Sequence, residues 1–253
     1  MIVTPIKTDL VKEGDNLFEV ISKNIKKLSE ESILVITSKI ISVCQSRVVG
    51  KKINNESEKR ELIKKEADYY LDALKLKHDV MLTIKNNILT INAGINESNV
   101  NGKYILWPKN IQNTTNDIWK FLGKHYSVKK VGVIITDSKI FSLKRGIIGT
   151  AICHCGFKVL YNYRNKKDIF GRDLSLSQIN VAEALAVAAV LEMGEAAERL
   201  PLCVIEKVSK VEFQDRVPTP NELKNSTVNI KDDIFAPILG KVDWKKGKSG
   251  NFR

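Results

Sequence analysis

The feature that most constrains the fold is an apolar, largely β-branched run from Val131 to Thr136 that is followed directly by Asp137 and Ser138. Such a run predicts a buried strand, which we expect to stop at Asp137 and Ser138. A carboxylate and a hydroxyl at a strand end are a common basis for a metal or phosphate site, because the strand fixes them and the loop leaves them accessible. The alternative is that Asp137 only caps a turn.

Two other segments share this pattern of a strand followed by polar residues. The run Ile33 to Ile36 ends in Thr37-Ser38-Lys39, where Ser38 and Lys39 could contact a phosphate or could form an ordinary strand-to-helix turn. The loop Asn92 to Asn99 is dense in small and hydrogen-bonding residues, so its backbone can approach a ligand closely. The cations Lys144 and Arg145 follow the Val131 strand within one loop.

Hydrophobic periodicity and turn residues predict the remaining elements. We expect an edge strand at Ile2 to Ile6, strands at Ile33 to Ile36 and Leu202 to Ile205, a hairpin of Val80 to Ile84 with Ile88 to Ile91, and helices at Asn16 to Leu28 (capped by Asp15), Ser57 to Leu76, Thr115 to Leu122 and Ser177 to Met193. Pro218-Thr219-Pro220 is typical of a linker. We therefore expect one unit over residues 1–240, either a single domain or two interleaved lobes, and a loose basic tail over 241–253.

Charge and cysteine content bear on partners and location. The net charge is +12, from 41 Lys and Arg against 29 Asp and Glu, which favours anionic partners such as nucleotides or phosphorylated substrates. The lysines are spread along the chain and no nucleic-acid-binding module is recognisable, so nucleic acid is disfavoured as the partner. No apolar run approaches the ~20 residues of a membrane span and the N-terminus lacks a secretory pattern, so we expect a cytoplasmic protein.

The four cysteines are poor zinc ligands by their spacing. Only Cys153 and Cys155, which flank His154, are clustered, and no second cluster completes a tetrahedral site. Free thiols in a reducing compartment are the expected state.

Five segments in the same order resemble the coenzyme F420-0:γ-glutamyl ligase family. They are Ile36-Thr37-Ser38-Lys39, Asn92 to Asn99, Gly132 to Ser138, Asp168-Ile169-Phe170-Gly171-Arg172 and Met193-Gly194-Glu195. The resemblance implies an α+β fold of that ligase type, with mixed and antiparallel sheets and packed helices. It also implies a homodimer. The cofactors it implies are GTP or ATP, Mg²⁺ or Mn²⁺, and K⁺ as a further cation.

The family's reaction forms an amide. A nucleotide transfers its γ-phosphoryl group to an acceptor carboxylate, and the amino group of L-glutamate attacks the resulting acyl phosphate. Such chemistry needs cations and N–H groups around the triphosphate, carboxylates for the metals and a pocket that excludes water. The acceptor is open between a deazaflavin phosphate, as in the family, and a glutamate-bearing cofactor such as folate.

The resemblance also assigns roles to individual residues. The metal ligands implied are Asp137, Ser138, Glu195 and the position of Asn96. The nucleotide contacts implied are Leu10, Val11, Lys12, Ser38, Lys39, Asn99, Met193, Gly194, Glu195 and Ala196. Asp137, Lys144 and Arg145 are the implied catalytic group, the two cations binding phosphate or acceptor.

Two departures from the family pattern lead to a second hypothesis. The family has Asp where this chain has Asn96, whose neutral amide coordinates a metal more weakly, with Glu97 as a candidate substitute. The family also has a nucleotide-contacting lysine where this chain has Val43. The alternative is therefore a family member without catalysis that still binds nucleotide or a partner.

Overall fold

The computed structural model describes residues 1–50, 56–72, 80–100 and 102–249, and they form an α+β protein with several sheets. The helices are α1 (Leu17–Asn24), α2 (Ser38–Cys44), α3 (Glu56–Glu66), α4 (Ile111–Tyr126), α5 (Val181–Met193), α6 (Pro220–Asn225) and α7 (Ala236–Leu239). The strands are β1 (Ile2–Ile6), β2 (Ser32–Thr37), β3 (Val48–Val49), β4 (Tyr69–Tyr70), β5 (Leu82–Lys85), β6 (Ile88–Ile91), β7 (Tyr104–Ile105), β8 (Val131–Ile140), β9 (Ile147–Cys155), β10 (Leu160–Asn162), β11 (Gln178–Asn180), β12 (Leu202–Glu206) and β13 (Lys245–Lys246).

The central sheet has the strand order β1-β12-β2-β8-β9. Strands β2 and β8 run parallel and every other neighbouring pair is antiparallel, so the predicted mixed sheet is confirmed. Strand β1 lies at an edge, as predicted from Pro5, because proline has no N–H to donate to a second neighbour.

Side chains alternate across this sheet and build a core on each face. Val133 and Ile135 of β8 pack in the cluster with α1, α2 and α4, whereas Ile134 packs in the cluster with α5. The small residues of α5 let it approach β9 closely: a Cβ atom on Gly149 would lie 2.5 Å from the carbonyl oxygen of Ala186. The long strand β8 is therefore covered on both faces.

A second sheet, ordered β13-β4-β5-β6, carries the loop that follows the predicted hairpin. Strands β5 and β6 pair antiparallel around Asn86 and Asn87, whose φ angles of 49° and 63° suit a tight hairpin turn. The hairpin prediction is confirmed. A 3-10 turn, Asn92–Gly94, follows β6 and starts the loop toward the end of β8.

Two predicted limits differ from the structure because strands pair beyond them. Strand β8 continues to Ile140, because β9 pairs with it beyond Asp137, and Asp137 lies opposite Thr150 within the ladder. The prediction that the strand stops at Asp137 and Ser138 is therefore wrong. The helix expected to start at Ser177 starts at Val181, because Gln178–Asn180 pairs with β10.

Other helix limits also move. Asn16, not Asp15, caps α1 by accepting from the N–H groups of Phe18 and Glu19, and α1 ends at Asn24 rather than Leu28. Helix α4 is longer than predicted at both ends. The helix expected over Ser57 to Leu76 ends at Glu66, where Tyr69–Tyr70 becomes a strand, and residues 73–76 of that expectation lie outside the described residues.

The C-terminal region is more ordered than its composition indicates. Thr219 caps α6 in a capping box with Glu222, so Pro218 to Pro220 is a helix start rather than a linker. Lys245–Lys246 pairs with Tyr69–Tyr70, and the N–H of Gly247 donates to the carbonyl of Asp68. The expected looseness is therefore wrong there, while residues 250–253 lie outside the described residues. The division at residue 240 stays a prediction.

Within the described part of the chain, no helix is both long enough and apolar enough to span a membrane.

Candidate active site

Asp137 is the centre of the site, and its carboxylate is held by two donors. The indole Nε1 of Trp107 lies 2.5 Å from Oδ2, and the backbone N–H of Ser138 donates to Oδ1 at 2.9 Å. Burial raises the pKa of Asp137 to about 6, against these two hydrogen bonds and the charge of Lys39, while the charge of Glu195 raises it further. Asp137 is thus a carboxylate with a perturbed pKa at the edge of the core.

Glu195 lies beside this carboxylate, linked through the neighbouring side chain. The hydroxyl of Ser138 donates to Oε1 of Glu195 at 2.5 Å. Helix α5 ends at Met193, and the next residue, Gly194, has a φ of 75° and a ψ of 179° that turn the chain sharply before Glu195. A Cβ atom there would lie 2.6 Å from Cδ of Glu198, which itself accepts from the N–H of Ala196. Glycine at 194 therefore allows the turn that brings Glu195 to Ser138.

Lys39 faces both carboxylates from the first turn of α2. Its Nζ donates to Oγ of Ser98 at 3.0 Å. Burial lowers the pKa of Lys39, while the charges of Glu195 and Asp137 oppose that shift. Ser38, beside it, is buried at the start of the same helix. One cation and two carboxylates therefore lie within electrostatic range of one another in a partly desolvated site.

The loop after the 3-10 turn closes this side of the site. Oδ1 of Asn96 accepts from both the N–H and the hydroxyl of Ser98, each at 2.8 Å, as in an Asx-turn. Nδ2 of Asn99, a residue with a φ of 59°, donates to the carbonyl of Ala196 at 2.8 Å. Glu97 pairs with Lys59 at 2.5 Å. The metal role of Asn96 stays a prediction, and its oxygen already organises the loop.

Trp107 and Ser98 are the two site residues that the sequence reasoning missed. Trp107 is only 2% exposed, although its neighbour Pro108 suggests a plain connection. A Cβ atom on Gly94 would lie 2.1 Å from the indole nitrogen, so glycine at a φ of 72° is what lets the ring approach the loop. A glycine in a polar loop that precedes a tryptophan is the only sequence signal for this contact.

The segment from Leu10 to Lys12 leads directly into Glu13 and Gly14, which contact other parts of the chain. The N–H of Gly14 donates to the carbonyl of Val43, and Lys103 pairs with Glu13 at 3.3 Å. These contacts tie the segment to the end of α2 and to the loop that carries Asn99. With α1 and His125 it lines a cleft of about 860 Å³. The structure gives it no described contact with Asp137 or Glu195, and its nucleotide role stays a prediction.

Lys144 and Arg145 lie at the exposed tip of the β8–β9 hairpin. Three residue pairs separate the Asp137–Thr150 pair from that loop, which places the loop roughly 10 Å along the strands. Neither side chain makes an ion pair or hydrogen bond with a described residue. The structure does not bring them into contact with the carboxylates, and their role stays a prediction.

The donor set fits a hard divalent cation. Asp137, Glu195 and Ser138 offer carboxylate and hydroxyl oxygens, which Mg²⁺ and Mn²⁺ prefer, and such ions commonly complete their shell with water and substrate phosphates. No group of three or more His, Cys, Asp or Glu residues that could hold a metal occurs in the described part of the chain. A metal here would therefore depend on two carboxylates and on oxygens from the substrate.

The cysteines belong to the core rather than to this site. All four are free thiols, and burial raises the pKa of Cys153 to about 11 and that of Cys155 to about 12. Cys153 and Cys44 pack in the core on one face of the central sheet, and Cys203 packs in the core on the other face.

A carboxylate of raised pKa that faces a lysine and a second carboxylate is typical of an enzyme active site. Comparison with known proteins agrees with this class. The model of the F420-0:Gamma-glutamyl ligase family matches residues 5–207, and the chain belongs to this family.

Named relatives cover most of the chain. It is 31% identical over 208 residues to the coenzyme F420:L-glutamate ligase of Archaeoglobus fulgidus, covering 78% of this chain and 83% of that protein. It is 30% identical over 217 residues to the protein of the same name from Methanocaldococcus jannaschii, covering 80% and 86%. The protein of that name from Methanopyrus kandleri is 27% identical over 241 residues, covering 89% and 93%.

Proposed function

We propose that this protein is a nucleotide- and divalent-metal-dependent γ-glutamyl ligase, which joins L-glutamate to an acceptor carboxylate through an acyl phosphate. The observation that carries the proposal is the pair Asp137 and Glu195, linked through Ser138 and faced by Lys39, in a chain that belongs to a ligase family. The donor set suits a metal, and the adjacent lysine suits a phosphate.

The reaction has two bond exchanges. First, the bond between the β,γ-bridging oxygen and the γ-phosphorus of GTP or ATP breaks, and an acceptor carboxylate oxygen bonds to that phosphorus, releasing the nucleoside diphosphate. The glutamate nitrogen then attacks the acyl carbon, the carbon–oxygen bond to phosphate breaks, and inorganic phosphate and a proton leave. The first exchange develops charge on the transferred group, which positive groups must stabilise.

The site residues have distinct tasks in this scheme. Asp137 and Glu195 would hold Mg²⁺ or Mn²⁺, with Ser138 as a further oxygen ligand, and the metal would neutralise phosphate charge. Lys39 supplies a second positive charge close to that position. Asn99, which is hydrogen-bonded to Ala196, keeps the loop against the segment that carries Glu195 and so helps to enclose the nucleotide.

The acceptor follows from the relatives by analogy. Those proteins are named for ligating L-glutamate to coenzyme F420, so a deazaflavin phosphate is the first acceptor to test here. A folate-like acceptor, with its own terminal glutamate, is the second. Both present a carboxylate to activate and differ in the ring system that the protein must bind.

A homodimer is part of the proposal. The β8–β9 hairpin and the loop between β10 and β11 expose large apolar side chains. They are Ile140, Phe141, Leu143, Ile147, Ile169, Phe170 and Leu176. Exposed apolar groups of this size are typical of protein interfaces. Sedimentation velocity should give a dimer, and replacing Leu143 and Phe170 by Asp should shift it to a monomer; a monomeric wild type would contradict this part.

The competing proposal is a nucleotide-binding protein without ligase activity. It is favoured by Asn96, whose amide oxygen is engaged by Ser98, and by Val43 in place of a cation. With one fewer negative charge at the metal position and one fewer positive charge near the nucleotide, binding could persist while turnover is lost.

The deciding experiment measures coupled turnover. The protein is incubated with GTP or ATP, Mn²⁺ or Mg²⁺, L-glutamate and a deazaflavin or folate acceptor. We expect nucleoside diphosphate release that requires both acceptor and glutamate, and a product heavier by one glutamate residue in mass spectra. Tight nucleotide binding without release, for any acceptor, would favour the competing proposal.

A further inference from the structure

Trp107 contacts the carboxylate at the centre of the site and has no part in the function proposed above. Its indole Nε1 lies 2.5 Å from Oδ2 of Asp137, while Oδ1 accepts the backbone N–H of Ser138 and no other donor among the described residues. A carboxylate has about four acceptor positions, so lone pairs on both oxygens stay available for a cation. The indole N–H restricts rotation of the carboxylate about χ2, a torsion that is otherwise broadly distributed in Asp.

The indole is itself held from two sides. On one side, Gly94 packs so closely that a Cβ atom would overlap the indole nitrogen, at 2.1 Å. On the other, Nζ of Lys85 lies 5.8 Å from the ring centroid. Lys85 and Arg47 both pair with Glu66, at 2.8 Å and 2.7 Å.

This ion-pair cluster also reaches the backbone of the tryptophan. Nε of Arg47 donates to the carbonyl of Trp107 at 3.2 Å, and the side chains of Arg47, Glu66 and Lys85 are at most 16% exposed. A group fixed by packing, by a buried charge network and by a backbone contact can orient a ligand with little freedom.

We propose that Trp107 is a positioning residue, whose indole N–H sets the orientation of the Asp137 carboxylate for binding a divalent cation. The inference rests on the proposed function, since it assumes that Asp137 is a metal ligand. Donors that orient a ligand from outside the metal shell typically change affinity by about 10- to 100-fold when they are removed. Phenylalanine at 107 keeps most of the ring and removes the donor.

The chain provides a matched control for that substitution. Trp119 is partly buried against the core and donates its indole N–H to β8, but the acceptor is the carbonyl of Val131 at 3.0 Å. W119F therefore removes the same kind of indole hydrogen bond at a backbone acceptor, from a ring that is partly buried. A purely structural role for Trp107 would make the two variants behave alike.

The first measurement is the Mn²⁺ affinity, followed by the electron paramagnetic resonance signal of free Mn²⁺ in titrations of each protein without substrates. We expect W107F to bind about 10-fold more weakly or worse, and W119F to stay within about 2-fold of the wild type. Equal affinities for wild type and W107F would overturn the inference. So would equal losses in the two variants when melting temperatures show equal destabilisation.

The second measurement observes the hydrogen bond itself in the wild-type fold. The three tryptophans give three indole ¹H–¹⁵N resonances, assigned from W107F and W119F. We expect Asp137→Asn to shift the Trp107 resonance most, and Mn²⁺ far below one equivalent to broaden it before that of Trp119. A Trp107 resonance that Asp137→Asn leaves in place would overturn the inference.

The two measurements separate this inference from the proposed function. A wild type that binds no Mn²⁺ and releases no nucleoside diphosphate would remove the proposed ligase, and with it the positioning role. A wild type that binds Mn²⁺ and turns over, with W107F matching it in affinity, would remove the positioning role alone.

Discussion

Strand β8 has an indole contact at its first residue, Val131, and another at Asp137 toward its other end, and the two contacts are built in the same way but differ in what they do. At one end Trp119 donates its indole N–H to the carbonyl of Val131, and at the other Trp107 donates to the carboxylate of Asp137. Each indole packs on a glycine of positive φ, Gly156 at 83° and Gly94 at 72°. A Cβ atom on either glycine would lie within 2.4 Å of the indole nitrogen.

The difference is in the acceptor and its surroundings. The Trp119 end uses a backbone carbonyl, which cannot leave the strand, and the partly buried Trp119 ring packs against the core there. The Trp107 end uses a charged side chain that faces Lys39 and Glu195. The same kind of packing therefore stabilises the fold at one end and, at the other, orients a charged side chain of the proposed site.

The largest expected effect is that of Asp137→Asn. Without the carboxylate the proposed ligase should lose about 10³-fold or more in glutamate-dependent nucleoside diphosphate release, because a neutral amide is a poor ligand for a divalent cation. The free energy of unfolding should nevertheless rise by about 1–3 kcal/mol at neutral pH, because burial disfavours the charged form of Asp137 and asparagine carries no charge. Turnover assays and urea unfolding measure the two effects.

The control for that variant is Asp117→Asn. Asp117 is an exposed carboxylate of α4 paired with Lys120 at 3.3 Å, and exposed pairs contribute little. We expect near wild-type turnover and stability from it. Retention of near wild-type turnover in Asp137→Asn would sink the assignment of Asp137 as a metal ligand.

The second prediction concerns the two glycines. Gly94→Ala and Gly156→Ala should each lower the free energy of unfolding by about 2–4 kcal/mol, because each combines a positive φ with overlap against an indole. Only Gly94→Ala should also weaken Mn²⁺ binding, since only its indole contacts a proposed ligand. Chemical denaturation and Mn²⁺ titration check this.

Gly123→Ala is the matched control for the glycines. Gly123 is within helix α4, and the closest atom to an added Cβ would be the carbonyl oxygen of Val128 at 3.4 Å. Alanine there should be neutral or stabilising, by up to about 1 kcal/mol. Equal Mn²⁺ binding by Gly94→Ala and Gly156→Ala, after correction for the folded fraction, would contradict the contrast between the two ends.

The sequence predicted the polar residues that follow the Val131 run, but it did not predict the Trp107 contact that holds one of them. Asp137 and Ser138 stand out in the linear pattern because they follow a buried run, whereas Glu195 is indicated only by the family resemblance. Trp107 is not indicated, because its partner lies thirty residues away along the chain and only the folded hairpin loop brings Gly94 beneath it. Element types were predicted well where periodicity was strong, as in β2 and in the β5–β6 hairpin.

The predicted limits of strands and helices were wrong where pairing with a distant segment decided them. Strand β8 runs past Asp137 because β9 continues beside it, and α5 starts late because β11 pairs with β10. Nothing within either segment reveals its partner. The predicted phosphate role of Lys144 and Arg145 depends on the same hairpin, whose extension carries both residues away from the carboxylates.

The third prediction uses the titration of His154, in the core near the Trp119 end. His154 pairs with Ile134 in the ladder and contacts Phe157 at 5.5 Å between ring centroids. Burial lowers the pKa of His154 to about 4, against the charge of Glu222. The folded state therefore excludes a proton that the unfolded state binds below about pH 6.5.

Burial of neutral His154 therefore makes the protein less stable as the pH falls. Stability from neutral His154 is complete above about pH 6.5 and is lost as pH falls toward about 4, amounting to about 2 kcal/mol between pH 7.5 and pH 5. His154→Gln should abolish that part of the pH dependence, because glutamine does not titrate. Urea unfolding of both proteins at the two pH values gives the difference, and parallel losses in wild type and variant would contradict it.

The smallest expected effect is that of Asn96→Asp, which adds a charge at the Trp107 end only. The new carboxylate is isosteric with the amide and can still accept the two hydrogen bonds from Ser98, so the loop should keep its conformation. Mn²⁺ affinity should rise by about 3- to 10-fold, because a third carboxylate strengthens a site built from hard oxygen donors.

The control for this last change is Asn162→Asp. Asn162 accepts from the N–H of Arg164 in the same i to i+2 arrangement, but it lies in β10, outside the group of residues that contact Asp137. A change in net charge alone would raise the Mn²⁺ affinity of both variants equally, whereas a ligand at position 96 raises it in one. An Mn²⁺ titration of Asn96→Asp that superimposes on that of the wild type would mean that residue 96 does not face the cation, and the site would then rely on Asp137 and Glu195 alone.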